Sequence, residues 1–210
     1  MSERLFTIGR TETACTDALE AARSQFETDR ALLARPGIAP DMLAAIDGLA
    51  ARTHFVAQPV TDLGHRHVEQ PELAGTAVKL ALVRPAFLRW VEVATGCGPI
   101  ARVEGMLVET RPGGGDHLDW HRDTMIDTAL GLTIHLGSAP YDGGAFELRD
   151  VGGSALRFRH AQAQRGDVLL FDVDHRYEHR VMPVVSGAAR RVFTGWFIRA
   201  GACLDGNESS

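Results

Sequence analysis

Cysteine is scarce: Cys15, Cys97 and Cys203 are an odd number without C-x-x-C spacing, which argues against both a disulfide framework and a cysteine-based zinc site. Their expected role is packing. No apolar run approaches the ~20 residues that span a bilayer, and Met1-Ser2-Glu3-Arg4-Leu5 lacks the basic and apolar regions of a secretory signal. The expected location is cytoplasmic, with no membrane partner. There is no basic block and the net charge is -5, so electrostatics gives no reason to expect nucleic acid as a partner. Internal repeats and low-complexity stretches are missing too. At 210 residues the chain suffices for one sizeable core, and we expect a single domain over 1–210 whose partner is a small-molecule or peptide substrate. Oligomeric state is not legible.

The first part, 1–97, reads as helix-rich. Apolar residues at helical offsets from Thr11 to Leu33 predict one helix, stopped by Pro36-Gly37. A second starts after Pro40, with Asp41 near its cap and Met42, Leu43, Ile46, Leu49 and Ala50 on one face. Thr53 to Val60 reads as a strand, and His65-Arg66-His67 to Gln70 as a polar surface loop. Pro85 opens another helix, amphipathic through Trp90 and Val91 and ended by Gly96. After Gly98 the period changes. Eight short β-branched segments follow: Ala101 to Thr110, His117 to Arg122, Leu130 to Leu136, Ala145 to Arg149, Ala155 to Arg159, Asp167 to Asp172, Tyr177 to Val181 and Arg191 to Ile198. Glycine-rich turns separate them, starting with Pro112-Gly113-Gly114-Gly115. This spacing predicts a mainly β fold, a sandwich or jelly roll over 98–200 supported by the N-terminal helices, and the end, Asp205 to Ser210, reads as a frayed tail.

The chemistry concentrates in Asp119-Trp120-His121-Arg122-Asp123 and Glu178-His179-Arg180-Val181. On an extended segment residues i and i+2 leave the same face, so His121 and Asp123 would project together, and His179, fifty-six residues after Asp123, offers a second imidazole. Two histidines and one carboxylate form the facial triad of non-haem Fe(II) oxygenases, with three positions open.

His121-x-Asp123, Gly131-Leu132-Thr133-Ile134-His135-Leu136, Tyr141-Asp142-Gly143-Gly144, Gly166-Asp167-Val168-Leu169-Leu170-Phe171-Asp172, His179-Arg180-Val181-Met182-Pro183, Gly187-x-x-Arg190 and Trp196-Phe197 stand in one order. Together they resemble the catalytic core of the 2-oxoglutarate and Fe(II)-dependent dioxygenases, in the branch that includes the prolyl hydroxylases. The resemblance implies a double-stranded β-helix, a jelly-roll barrel with Fe(II) at its mouth. It implies His121, Asp123 and His179 as metal ligands and as the catalytic set, with 2-oxoglutarate and O2 as cosubstrates. Arg190, eleven residues beyond His179, would pair with the far carboxylate of 2-oxoglutarate; an arginine fork suits that bidentate task and stays charged. Thr133 or Thr194 would add a hydroxyl. The implied reaction is hydroxylation of a substrate C–H bond, the substrate being a prolyl or another amino-acid residue.

Alternatives stand beside several of these positions. His117-Leu118-Asp119 is a second HxD of the same parity, disfavoured because the interval from Asp123 to Leu132-Thr133 fits the family and that from Asp119 does not. His175 competes with His179 but lacks the Val-x-Pro sequel, and Arg191 competes with Arg190 from the opposite face of the strand. His135 reads as a cavity-lining or core histidine. Trp120 reads either as a substrate-stacking residue or as packing on the barrel rim, and the segments 116–120 and 122–129 flank the mouth. Many relatives place a tyrosine beside the cosubstrate; here Arg111 and Gly137 stand at those places, and Tyr141 and Tyr177, the only tyrosines, do not. Two other classes carry the same residues: a non-catalytic jelly-roll metal- or ligand-binding protein, and a cupin-like metalloenzyme.

Overall fold

A computed structural model describes residues 5–60, 63–113, 116–123, 127–161 and 163–201. The expected tail, Cys203 and residues 114–115 of the glycine turn lie outside them. The N-terminal part contains β1 (Phe6–Ile8), β2 (Thr13–Cys15), α1 (Leu19–Asp29), β3 (Ala31–Ala34), α2 (Pro40–Ala50), β4 (His54–Val60), β5 (Gly64–Gln70), α3 (Ala74–Leu82) and α4 (Pro85–Thr95). Then come β6 (Ile100–Thr110), β7 (Leu118–His121), β8 (Thr128–His135), β9 (Tyr141–Gly143), β10 (Phe146–Asp150), β11 (Leu156–His160), β12 (Val168–Phe171), β13 (Tyr177–Val181), β14 (Val184–Gly187) and β15 (Arg190–Arg199).

All eight predicted strands are present, and they join one antiparallel sheet in the order β11-β10-β13-β7-β5-β6-β15-β8-β12-β3, with β4 paired to β5. The sheet curls until its far parts meet: the rings of Phe171 of β12 and Phe146 of β10 pack in a tilted arrangement, 4.6 Å between centroids. This nearly closed antiparallel barrel is the double-stranded β-helix. Alternation along β15 divides its residues between two surroundings. Phe193 and Phe197 are fully buried and belong to the main core shared with Phe6 of β1 and with Phe87 and Trp90 of α4. Each such aromatic contributes roughly 1.5–3 kcal/mol relative to exposure. The even positions, Arg190, Val192, Thr194 and Trp196, line the barrel's cavities instead.

Two expectations are corrected. The single helix over Thr11 to Leu33 is a strand, a shorter helix and another strand. Arg30 adopts a left-handed conformation (φ 56°) that ends α1, and Leu32 and Leu33 then pair with Leu170 and Leu169 of β12, so cross-strand pairing overrides the helical composition. Residues 65–70, expected as a loop, are strand β5, inserted between β6 and β7 of the barrel wall. Gly64 lets β5 approach β7 closely: at φ 138° it sits where an added Cβ would come within 2.1 Å of the His117 carbonyl oxygen. The other end is anchored by Glu69, buried, whose carboxylate accepts from the amides of Ala74 and Gly75 at 2.8 and 2.9 Å and so caps α3, a helix with no expectation attached to it. Two further strands without an expectation, β9 and β14, form a separate ribbon.

Candidate active site

β7 and β13 run side by side, with His121 directly opposite His179. Their pairing then slips, Val181 facing Leu118, so three residues of β7 span two of β13. That bulge puts Leu118 and His121 on the same inner face and turns Asp119 and Trp120 outward. Asp123, just past the strand, completes the group. One ligand atom from each of His121, Asp123 and His179 lies within 4.8 Å of the others, a set that can hold a metal ion. His121 Nε2 is 3.9 Å from Asp123 Oδ1, and His179 Nε2 is 3.7 Å from Oδ2.

The surroundings prepare these atoms. His121 Nδ1–H donates to the Asp119 carbonyl at 2.7 Å, which leaves Nε2 as the lone-pair nitrogen facing Asp123. The His179 ring is buried between Phe146, Phe171 and His121. Burial, with His121 beside it, pushes its pKa well below the usual imidazole range, so it is neutral at neutral pH. Burial also raises the Asp123 carboxyl, against the opposing pull of a hydrogen bond from Trp196 Nε1–H to Oδ2 at 2.7 Å and of His121. Outer partners of this kind orient a ligand, so Trp196→Phe is expected to weaken Fe(II) binding about 10- to 100-fold with the fold retained. Anaerobic metal titration with far-UV circular dichroism checks this; unchanged affinity would make the indole bond incidental.

Beside this cluster lies a smaller cavity lined by Thr110, Thr133, Arg190 and Thr194, and the two cavities share Arg66, Leu118, Thr133, Val181 and Thr194. Thr133 of β8 stands opposite Thr194 of β15. Arg190 is only 2% exposed, faces no carboxylate among the described residues, and its Nε has no partner. A buried guanidinium without a counter-ion is costly to desolvate, and the arrangement fits a carboxylate ligand. Burial lowers its pKa, opposed by its hydrogen bond with the Tyr141 hydroxyl. Sequence reasoning set Tyr141 aside. The structure brings it to Arg190 through the β9–β14 ribbon, where Tyr141 pairs with Gly187 just before β15. Gly144, at φ 64°, gives the arginine its room, since a Cβ there would lie 2.7 Å from Arg190 Cδ. Behind them His135 is buried, its Nδ1 3.4 Å from the Tyr141 hydroxyl, and burial together with Arg190 drives its pKa well below the usual range.

The alternatives separate on geometry. Arg191 points outward to Glu109, with N···O distances of 3.1 and 2.6 Å. His117 lines the smaller cavity, and the Asp119 side chain is exposed and outside the cluster. His175 is an exposed turn residue against Asp174. Trp120 packs on the barrel's exterior between the guanidinium groups of Arg149 and Arg180, 3.7 and 4.5 Å from its ring centroid, and not in the mouth. Of the mouth segment 122–129, residues 124–126 lie outside the described residues. Beyond sequence reasoning, the cavity around the His121, Asp123 and His179 cluster includes Val60, Leu63 and Arg66, all from the β4–β5 region.

Residues 106–198 match the family model described as the 2OG-Fe(II) oxygenase superfamily. Over this segment the chain matches the 2OG-Fe(II) oxygenases, a class of dioxygenases that uses Fe(II), 2-oxoglutarate and O2, and the match supports a dioxygenase. No curated protein matches the chain. Among solved structures it is similar to a prolyl-4-hydroxylase from Pseudomonas putida (18% identity, 87% of this chain and 100% of that one, TM-score 0.63). It is similar to a Trichoplax adhaerens prolyl hydroxylase in complex with a hypoxia inducible factor oxygen degradation domain peptide fragment (15% identity, 86% and 88%, TM-score 0.66). It is also similar to the epimerase SnoN, from nogalamycin biosynthesis, in complex with Fe3+, alpha ketoglutarate and nogalamycin RO (13% identity, 92% of each chain, TM-score 0.61). What these share with the chain is the fold. Among the described residues no helix is long and apolar enough to cross a membrane.

Proposed function

We propose that the chain couples oxidative decarboxylation of 2-oxoglutarate to hydroxylation of a C–H bond in a prolyl or other amino-acid unit. Bound Fe(II) would supply the oxygen chemistry, in which 2-oxoglutarate leaves as succinate and CO2 and the substrate gains one oxygen atom. In this reading His121, Asp123 and His179 hold the metal from one face. Arg190 receives the far carboxylate of 2-oxoglutarate, while Thr133 and Thr194 line the path between the two. The carrying observation is the adjacency of a His-Asp-His cluster within 4.8 Å and a buried arginine whose Nε has no partner. A plain metal-binding barrel has no use for that arginine. The amino-acid substrate is supported by the likeness to two prolyl hydroxylases. We also propose that 1–210 works as one domain, since the main core runs from Leu5 to Phe197 through both parts.

The test is anaerobic titration of the Fe(II)-loaded protein with 2-oxoglutarate. Chelation is expected to produce a weak visible metal-to-ligand charge-transfer band, followed on admission of air by succinate formation. Iron binding without the band at any concentration would sink the cosubstrate assignment.

A further inference from the structure

Arginine side chains around the outside of the barrel are neutralised: Arg149 meets Glu178 at 2.7 Å, Arg180 meets Glu147 at 2.7 Å, and Arg191 meets Glu109 at 2.6 Å. Those that line the two cavities are not. Arg190 is accounted for by the far carboxylate of the cosubstrate. Two remain in the cavity that holds the His121, Asp123 and His179 cluster: Arg66, from β5, which stands where this cavity meets the smaller one of Arg190, and Arg122, exposed at the rim between two of the cluster residues. Among the described residues neither forms an ion pair. Arg66 Nε donates to the Gln58 side-chain oxygen at 2.9 Å, which fixes the stem of its fork against β4 and leaves the terminal nitrogens for another acceptor. Burial lowers the Arg66 pKa with no neighbouring charge opposing it.

Charge balance then limits the ligand. Fe(II) with Asp123 leaves one positive charge, and dianionic 2-oxoglutarate with Arg190 leaves one negative, so the loaded centre is neutral as a whole. Arg66 and Arg122 are in excess of that balance. Apart from Thr133 and Thr194 the rest of the lining is mostly apolar, chiefly Val60, Leu63, Leu118 and Phe146, and the cavity measures about 270 Å³, part of which the metal and the 2-oxo acid group would occupy. A ligand with one anionic end and a short apolar body matches these walls, and a planar carboxylate matches an arginine fork.

We propose that the substrate is a small organic carboxylate, its carboxylate held between Arg66 and Arg122 at the mouth and its carbon skeleton directed at the metal. This rests on the oxygenase reading above and adds to it the substrate's charged handle. The experiment uses the anaerobic protein loaded with Fe(II) and 2-oxoglutarate. The probes are the common free L-amino acids and short straight-chain monocarboxylic acids, each beside its carboxamide, and binding is read as a shift of the charge-transfer band and by calorimetry. At least one acid is expected to bind, with its amide about tenfold or more weaker. Arg66→Gln and Arg122→Gln are each expected to weaken that acid about tenfold, with the 2-oxoglutarate titration within about twofold of wild type. Because Arg122 is exposed, its variant keeps the test valid if Arg66→Gln folds poorly. The proposal is overturned if amides bind as well as acids, if no acid binds, or if both variants bind acids like wild type. A raised 2-oxoglutarate requirement in Arg66→Gln would assign that arginine to the cosubstrate and also overturn it, leaving the oxygenase reading intact. Failure of that reading looks different: wild type forms no band with 2-oxoglutarate in the first place.

Discussion

His179→Ala is expected to lose Fe(II) binding by about 100-fold or more and, with it, 2-oxoglutarate turnover. The reason lies in what remains: one imidazole and one carboxylate, the carboxylate held above its usual pKa by burial, make a poor site at neutral pH. His179 is also the best prepared of the three, being buried and neutral before any metal arrives. The loss should not be confused with unfolding, so His179→Gln, which keeps most of the volume between Phe146 and Phe171, is measured beside it by thermal denaturation. Asp119→Ala supplies the contrast. Only its backbone carbonyl touches His121, and the carbonyl survives the substitution, so iron binding should match wild type. Stoichiometric iron and full turnover in His179→Ala, or their loss in Asp119→Ala, would move the metal to the earlier HxD or elsewhere.

The second large effect is expected at Arg190. Arg190→Ala should raise the 2-oxoglutarate concentration needed for half-maximal turnover by about 100-fold, near 3 kcal/mol, as for truncating one partner of a buried charge pair. Iron affinity should stay within a few-fold, because the arginine lines the neighbouring cavity and not the one bearing the cluster. Stability should hold or rise, since the variant removes a buried guanidinium whose Nε has no partner in the fold. Arg190→Lys keeps a cation but loses the fork and should fall between the two. Equal loss of iron and 2-oxoglutarate binding in Arg190→Ala would point to collapse of the barrel mouth and defeat the assigned role.

Much of the barrel was legible because its strands alternate and its turns carry glycine. Segments such as Arg191 to Ile198 sort their residues between a packed side and a cavity side, and that period survives in the sequence. β5 carries no such sign. Its exposed His65 and its Arg66 both line cavity walls, and its buried Glu69 is satisfied by amides of a helix that follows in the chain. Polar residues made stable by distant partners look like a loop until those partners are known. The HxD pair was proposed from alternation along one strand, and His179 and Arg190 from their place in the ordered set of motifs. Tyr141 could not be named in advance, because it reaches Arg190 through pairing of β9 with β14. Trp196 stood in the ordered set of motifs, yet the bond from its indole to Asp123 depends on a contact between residues 73 apart.

The origin of β5 has a consequence of its own. The residues that would handle metal and cosubstrate all fall within 106–198, whereas the wall facing them is supplied by 64–70, an earlier stretch anchored separately on α3. Of the two arginines proposed for the substrate, Arg66 is therefore written apart from the reaction centre and Arg122 within it. A hairpin over 54–70 can change its lining side chains without disturbing a single atom of the cluster, so long as the glycine beside His117 and the glutamate beneath α3 stay in place. Exchanging this panel would replace one of the two proposed substrate arginines and leave the reaction centre alone.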